Sequence, residues 1–195
     1  MKSNIYNTRI KSVDGEENFL SNFYGKVTLF VNVTGHCGNA PQYGILQEIY
    51  DKYKSKGFEI LAIPTNDYCG PKVTYGIYED GISSGKIAED YAKSEWKVTY
   101  PFSELVVSRK NRGDEPQKEP HEIYNKLNPD GEEAPINGNF EKFLVSKSGK
   151  VILRMINGAL LNYAYGDGLC DSPEVEYERL CKAIEEALKE EYIEE

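Results

Sequence analysis

Apolar and polar positions follow two rhythms along this chain, and the change from one to the other marks its elements. KVTLFVNV, Lys26 to Val33, is almost continuously apolar and β-branched, which predicts a strand covered on both faces. Pro41 then suits the first turn of a helix. Leu46, Ile49, Tyr50 and Tyr53 recur at helical spacing until Gly57 ends it. FEILAI, Phe58 to Ile63, predicts a second buried strand, stopped by Pro64. Strand, helix and strand with a short return is the pattern of a right-handed parallel crossover.

The flanking regions are read in the same way. NIYNTRIKSVDGEENFLSNF predicts a β-hairpin turning at Asp14–Gly15. SGKIAEDYAKSEW predicts a helix, SELVVSR a short strand, RKNRGDEPQKEP a polar loop and HEIYNKL one or two helical turns. FEKFLVSKSGKVILRMI predicts a hairpin pivoting at Ser148–Gly149. A last helix starts at about Pro173, with Tyr177, Leu180, Ile184 and Leu188 on one face. No linker divides the chain, so residues 1–195 are expected to form a single domain. The predicted class is α/β: a thioredoxin-like three-layer sandwich with a central mixed β-sheet, an N-terminal β-hairpin, flanking helices and an insertion after the second core strand.

Composition narrows the chemistry. A net charge of -9 argues against nucleic acid and anionic membrane surfaces as partners, since both reward basic proteins. No apolar run approaches the roughly 20 residues that cross a bilayer. MKSNIYNTRIKS lacks the apolar core of a secretory signal, so the expected location is cytoplasmic. The four cysteines, Cys37, Cys69, Cys170 and Cys181, include no Cys-x-x-Cys pair, and with two histidines a metal site is poorly supplied. No metal and no cofactor is expected.

VTGHCGNAPQY raises the main question, because it puts Cys37 between a strand end and a helix start. Thiolate is the reactive form of cysteine, and with a pKa of about 8.5 only a minor fraction is ionised at neutral pH. Backbone N–H groups at a helix N-terminus stabilise an anion. Gly38 lets the backbone approach without a side chain in the way. The competing reading is an inert, buried cysteine, since free cysteine is among the most buried residue types.

Four separated blocks resemble the glutathione peroxidases: GKVTLFVNVTGHCG, PQYGILQEIYDKYKSKGFEILAIPTN, HEIYNKL and NFEKFLVSKSGKV. They stand in that family's order and cover roughly Asn4 to Asn157. The resemblance implies reduction of hydrogen peroxide or organic hydroperoxides by Cys37. The cysteine becomes a sulfenic acid and is restored by glutathione, thioredoxin or an internal cysteine. In the family an asparagine, a tryptophan and a glutamine gather around the reactive residue. Asn139 matches the asparagine, Gly138 stands where the tryptophan is expected, and Asp67 stands where the glutamine is expected.

Glutamine offers two N–H donors to a thiolate, whereas an ionised aspartate offers none. Two negative charges about 4 Å apart at an effective dielectric near 20 repel by roughly 4 kcal/mol. Asp67 therefore has to point away, be protonated, or pair with a cation such as His36; a protonated Asp67 could also give a proton to the leaving hydroxide. The region where thioredoxin-dependent members carry a resolving cysteine has none, which leaves Cys69 as the first internal candidate and Cys170 as the second. Cys181, on the apolar side of the last helix, is expected to be buried. Otherwise an external thiol completes the cycle. The alternative is a divergent peroxidase-like protein kept as a redox-sensing or binding module. A third reading gives Cys37 a different reaction, with Tyr163 and Tyr165 shaping a new pocket.

Overall fold

The strand β1 (Val27–Val33) is buried along its whole length, as its unbroken apolar run requires. A computed structural model of the chain describes residues 4–68, 82–110, 118–131, 133–162 and 168–192. Helix α1 (Gln42–Tyr53) returns the chain, and Gly57, at φ 93°, ends the short 3-10 turn Lys54–Lys56 that prolongs it. Strand β2 (Phe58–Pro64) then runs parallel to β1, with Val27 opposite Phe58 and Val33 opposite Pro64. Helices α2 (Gly85–Trp96) and α3 (Glu122–Leu127) follow. The hairpin of β3 (Lys142–Val145) and β4 (Val151–Met155) and the last helix, α4 (Pro173–Leu188), close the fold. The sheet order is β2-β1-β3-β4, with β3 antiparallel to both of its neighbours.

Because side chains of a strand alternate between faces, β1 feeds two cores. Leu29, Val31 and Val33 meet α1, α2 and α4 through Leu46, Ala88 and Leu180 on one face. Phe30 turns to the other face, where Leu61 and Phe143 meet Tyr6, Leu20 and Ile123. A mixed sheet between two apolar layers is the expected architecture. On α1 the buried stripe is Tyr43, Leu46, Ile49 and Tyr53, while Tyr50 is half-buried and donates to the Glu59 carboxylate at 3.0 Å. The hairpin pivot is also as expected: Gly149, at φ 82°, donates its N–H to the Ser146 carbonyl.

The N-terminal hairpin is corrected. Its turn exists, with Gly15 at φ 90° and the Ser12 N–H bonded to the Glu16 carbonyl, but its arms do not pair. Ile5–Asn7 and Phe19–Phe23 coil into 3-10 helices instead. The reason is visible in the spacing. Ile5 and Tyr6 are both buried in one cluster, as are Phe19 and Leu20, whereas a strand sends successive side chains to opposite faces. The predicted strand in SELVVSR is also absent. That segment makes only isolated bridges, Ser103 with Ser12 and, just before it, Phe102 with Ala62. No helix among the described residues is long and apolar enough to cross a membrane.

Candidate active site

Between β1 and α1 the chain makes successive tight turns, Cys37 C=O to Ala40 N–H at 2.9 Å and Asn39 C=O to Gln42 N–H at 3.1 Å. These turns set Cys37 just ahead of the helix, half-buried, with the Asn39 N–H donating to its sulfur at 3.4 Å. This is the electrostatic setting that favours a thiolate. Packing does not demand the bareness of Gly38, since a Cβ there would meet nothing within 4 Å.

Asn139 reaches the same sulfur from the β3 side. Its Nδ2 lies 3.9 Å from Cys37 Sγ, as a donor. Its Oδ1 is buried, with no hydrogen-bond partner among the described residues.

Asn32, a polar residue inside the apolar β1, builds this presentation. It receives the N–H of Phe140 on its carbonyl and the N–H of Glu141 on its Oδ1, and it donates its Nδ2 to the Gly138 carbonyl. Phe140 is held at φ 68°, a left-handed conformation rare for an aromatic residue. Its ring packs edge-on against Tyr43 at 4.7 Å, and the Tyr43 hydroxyl donates to the Thr34 carbonyl at 2.6 Å. Asn39 Nδ2 also donates to the Asn139 carbonyl at 3.1 Å, which ties the two walls together.

Asp67 is engaged elsewhere. Its Oδ2 accepts from Thr65 Oγ1 at 2.8 Å, from the Ser108 hydroxyl at 2.7 Å, and from the Ser108 and Arg109 backbone N–H groups. Arg109 donates in turn to the Asp67 carbonyl and lies 4.1 Å above the Tyr68 ring. Beside this cluster a cavity of about 690 Å³ opens, lined by Arg109, Tyr124, Asn125 and Ile136 among others. The His36 ring stands 4.2 Å from the Tyr91 ring of α2.

The space of the expected tryptophan is also taken. A Cβ built on Gly138 would collide with the carboxamide of Asn157, which follows β4. The chain's tryptophan, Trp96, packs instead on Gly44 of α1. Cys181 is buried, as expected. Cys170 is half-buried, and burial together with Glu176 and Asp171 pushes its thiol pKa up. Cys69, Tyr163 and Tyr165 lie outside the described residues.

Sequence reasoning missed Asn32, Asn39, Gln42, Lys142 and Asn157. Two of them carried a signal: Asn32 and Lys142 are polar residues interrupting apolar strands, and both are fully or almost fully buried.

The glutathione peroxidase family model matches residues 5–127. The chain belongs to the glutathione peroxidase family. Phospholipid hydroperoxide glutathione peroxidase 1, chloroplastic, of Arabidopsis thaliana is 35% identical over 153 residues, 77% of this chain. The chain spans only 58% of that relative's length. Glutathione peroxidase-like peroxiredoxin 2 of Saccharomyces cerevisiae is 34% identical over 160 residues, 79% of this chain and 88% of its own. Among solved structures, Trgpx in its apo form covers 97% of this chain and 98% of its own, with a TM-score of 0.63 at 22% identity. A thioredoxin-family thiol:disulfide interchange protein from Chlorobium tepidum covers 93% and 96%, with a TM-score of 0.54 at 13% identity. These two bear on the fold alone, and they make it thioredoxin-like. Membership puts the chain among peroxide-reducing oxidoreductases.

Proposed function

We propose that Cys37 is the peroxidatic thiol of a thiol-dependent peroxidase acting on hydrogen peroxide or organic hydroperoxides. The observation that carries this reading is the convergence of two donors, the Asn39 N–H and Asn139 Nδ2, on a half-buried sulfur ahead of α1. The thiolate attacks the terminal peroxide oxygen, an S–O bond forms and the O–O bond breaks. The leaving alkoxide or hydroxide takes up a proton, and Cys37 becomes a sulfenic acid. A first thiol then displaces water to form a disulfide with Cys37, and a second thiol reduces that disulfide. Asn139 holds the sulfur by its amide N–H.

Glutathione or thioredoxin supplies the reducing thiols in this reading, with Cys69 as the internal resolving candidate. Thioredoxin or glutathione implies a reducing compartment, in keeping with the cytoplasmic expectation. Asp67 has its carboxylate on Ser108 and Arg109, so its part is to hold the wall beside the site. That is the first of the three outcomes open to it: the carboxylate points elsewhere.

Stopped-flow consumption of hydrogen peroxide tests the assignment. Wild type is expected to consume peroxide rapidly, and Cys37→Ser to lose the fast phase. Equal, slow rates for both would overturn the peroxidase and favour the redox-sensing or binding module. Mass spectrometry after one equivalent of peroxide is expected to show one added oxygen on Cys37 or, if Cys69 resolves it, a Cys37–Cys69 disulfide.

A further inference from the structure

Lys142, the first residue of β3, is fully buried within an otherwise apolar strand. Burying an ammonium is costly unless it is bonded and balanced, and apolar replacements of buried charges are often neutral or stabilising. A buried cation at this position calls for a role. Nζ donates to the Phe140 carbonyl at 2.6 Å and to the Asn157 carbonyl at 3.3 Å. The Asn157 carbonyl also accepts from Gln42 Nε2 of α1 at 2.7 Å, and the same Nε2 lies 3.3 Å from Asn39 Oδ1. Two segments that frame Cys37 therefore meet at one cation, the loop carrying Asn139 and the segment after β4, and the start of α1 joins them at the Asn157 carbonyl.

We propose that Lys142 is a positioning residue for the chemistry at Cys37, its ammonium clamping the left-handed Phe140 peptide and the Asn157 carbonyl so that Asn139 is held against the sulfur. The proposal rests on Cys37 being the reactive thiol. The acids facing the clamp are Glu141, just before its strand, and Cys170 and Glu176 from the approach to α4 and its first turn. Glu141 is itself paired with Arg154 of β4, and Glu176 accepts from the Asp171 N–H and from Arg179. Burial draws the Lys142 pKa down to about 7, against the upward pull of those three acids. The clamp thus changes charge near neutral pH. A neutral amine keeps two N–H donors but gives up the charge that strengthens its hydrogen bonds.

The test is residue-resolved alkylation of Cys37 by iodoacetamide, read by mass spectrometry from pH 5.5 to 9.5. Peroxide consumption is measured on the same samples. Wild type is expected to show a step near pH 7 superimposed on the thiol's own titration. Lys142→Met is expected to lose that step and to slow Cys37 alkylation at least about fivefold, the low end of ordinary site-to-site coupling. Glu176→Gln removes one anion facing the ammonium, so it is expected to keep the step and move it to lower pH. Should Lys142→Met fail to fold, the wild-type step and its displacement in Glu176→Gln decide the matter. Profiles that superimpose for all three proteins would overturn the proposal and leave Lys142 a packing residue. A wild type that consumes no peroxide yet keeps the step would overturn the peroxidase reading and leave the clamp standing.

Discussion

Asn139 and Asp67 stand where the family resemblance expects two members of one constellation, and the fold uses them in opposite ways. Asn139 faces the sulfur with a donor, and its buried acceptor has no partner among the described residues. Asp67 directs its carboxylate to the hydroxyls of Thr65 and Ser108 and to two backbone N–H groups. The exchange of glutamine for aspartate therefore does not set a bare anion against a thiolate. Four donors already hold that anion, and what the site loses is a donor. The difference teaches that a substitution in a constellation is judged by where its side chain finds partners, not by its charge alone.

Removing Asn139 has the largest expected effect on this comparison. Asn139→Ala takes away a hydrogen bond to a charged acceptor, worth about 1.5–3 kcal/mol, so the rate constant with peroxide should fall by about 10- to 100-fold. Stopped-flow traces measure it, and a change under twofold would show that the 3.9 Å contact does not reach the reaction.

Asp67→Ala should act on stability instead. It leaves the Ser108 and Arg109 N–H groups without their acceptor, at a cost of about 1–3 kcal/mol in urea unfolding. The rate at Cys37 is expected to change by less than about twofold, because the removed carboxylate is engaged with Ser108 and Arg109. A rate increase would break the comparison and restore the repulsion argument.

A pH series probes the support beneath Asn139. Lysine in an unfolded chain keeps its proton up to about pH 10.4, whereas Lys142 in the fold keeps it only to about 7. The folded state binds fewer protons in that window, so this residue makes stability rise with pH from about 7 towards 10, by at most about 1.4 kcal/mol per unit. Urea midpoints at pH 7 and pH 9 should separate in wild type and converge in Lys142→Met. The smallest effect on the rate belongs to Arg109→Ala, which loses the cation over the Tyr68 ring and the side-chain hydrogen bond to the Asp67 carbonyl, and should cost about 1–2 kcal/mol of stability with no change in rate.

Local rhythm made much of this legible. Seven successive buried positions identify β1, the stripe from Leu46 to Tyr53 identifies α1, and Ser148–Gly149 marks the β3–β4 turn. The N-terminal segment defeats that rhythm, because Ile5–Tyr6 and Phe19–Leu20 bury neighbouring side chains together. At the site, Cys37 and Asn139 were readable from their neighbours in sequence. Asp67 was not, since its partners other than Thr65 lie 41 and 42 residues further along the chain and share no periodicity with it. Lys142 and Asn32 stood in plain view as polar interruptions of apolar strands. Their purpose is a matter of which carbonyls the folded chain brings to them, and no spacing encodes that.

Gly138 and Asn157 have a consequence for mutagenesis of the site. A side chain at 138 would strike the Asn157 carboxamide, so Asn157 has to turn aside before anything larger than glycine fits. The two positions are therefore epistatic. The atom struck first is the end of a flexible carboxamide, so a new rotamer of Asn157 is one way to make that room and a shorter residue at 157 is another. A mutational scan that varied one position at a time would assign to 138 alone a cost that belongs to the pair. Gly138→Trp is therefore expected to be better tolerated when paired with Asn157→Gly than alone.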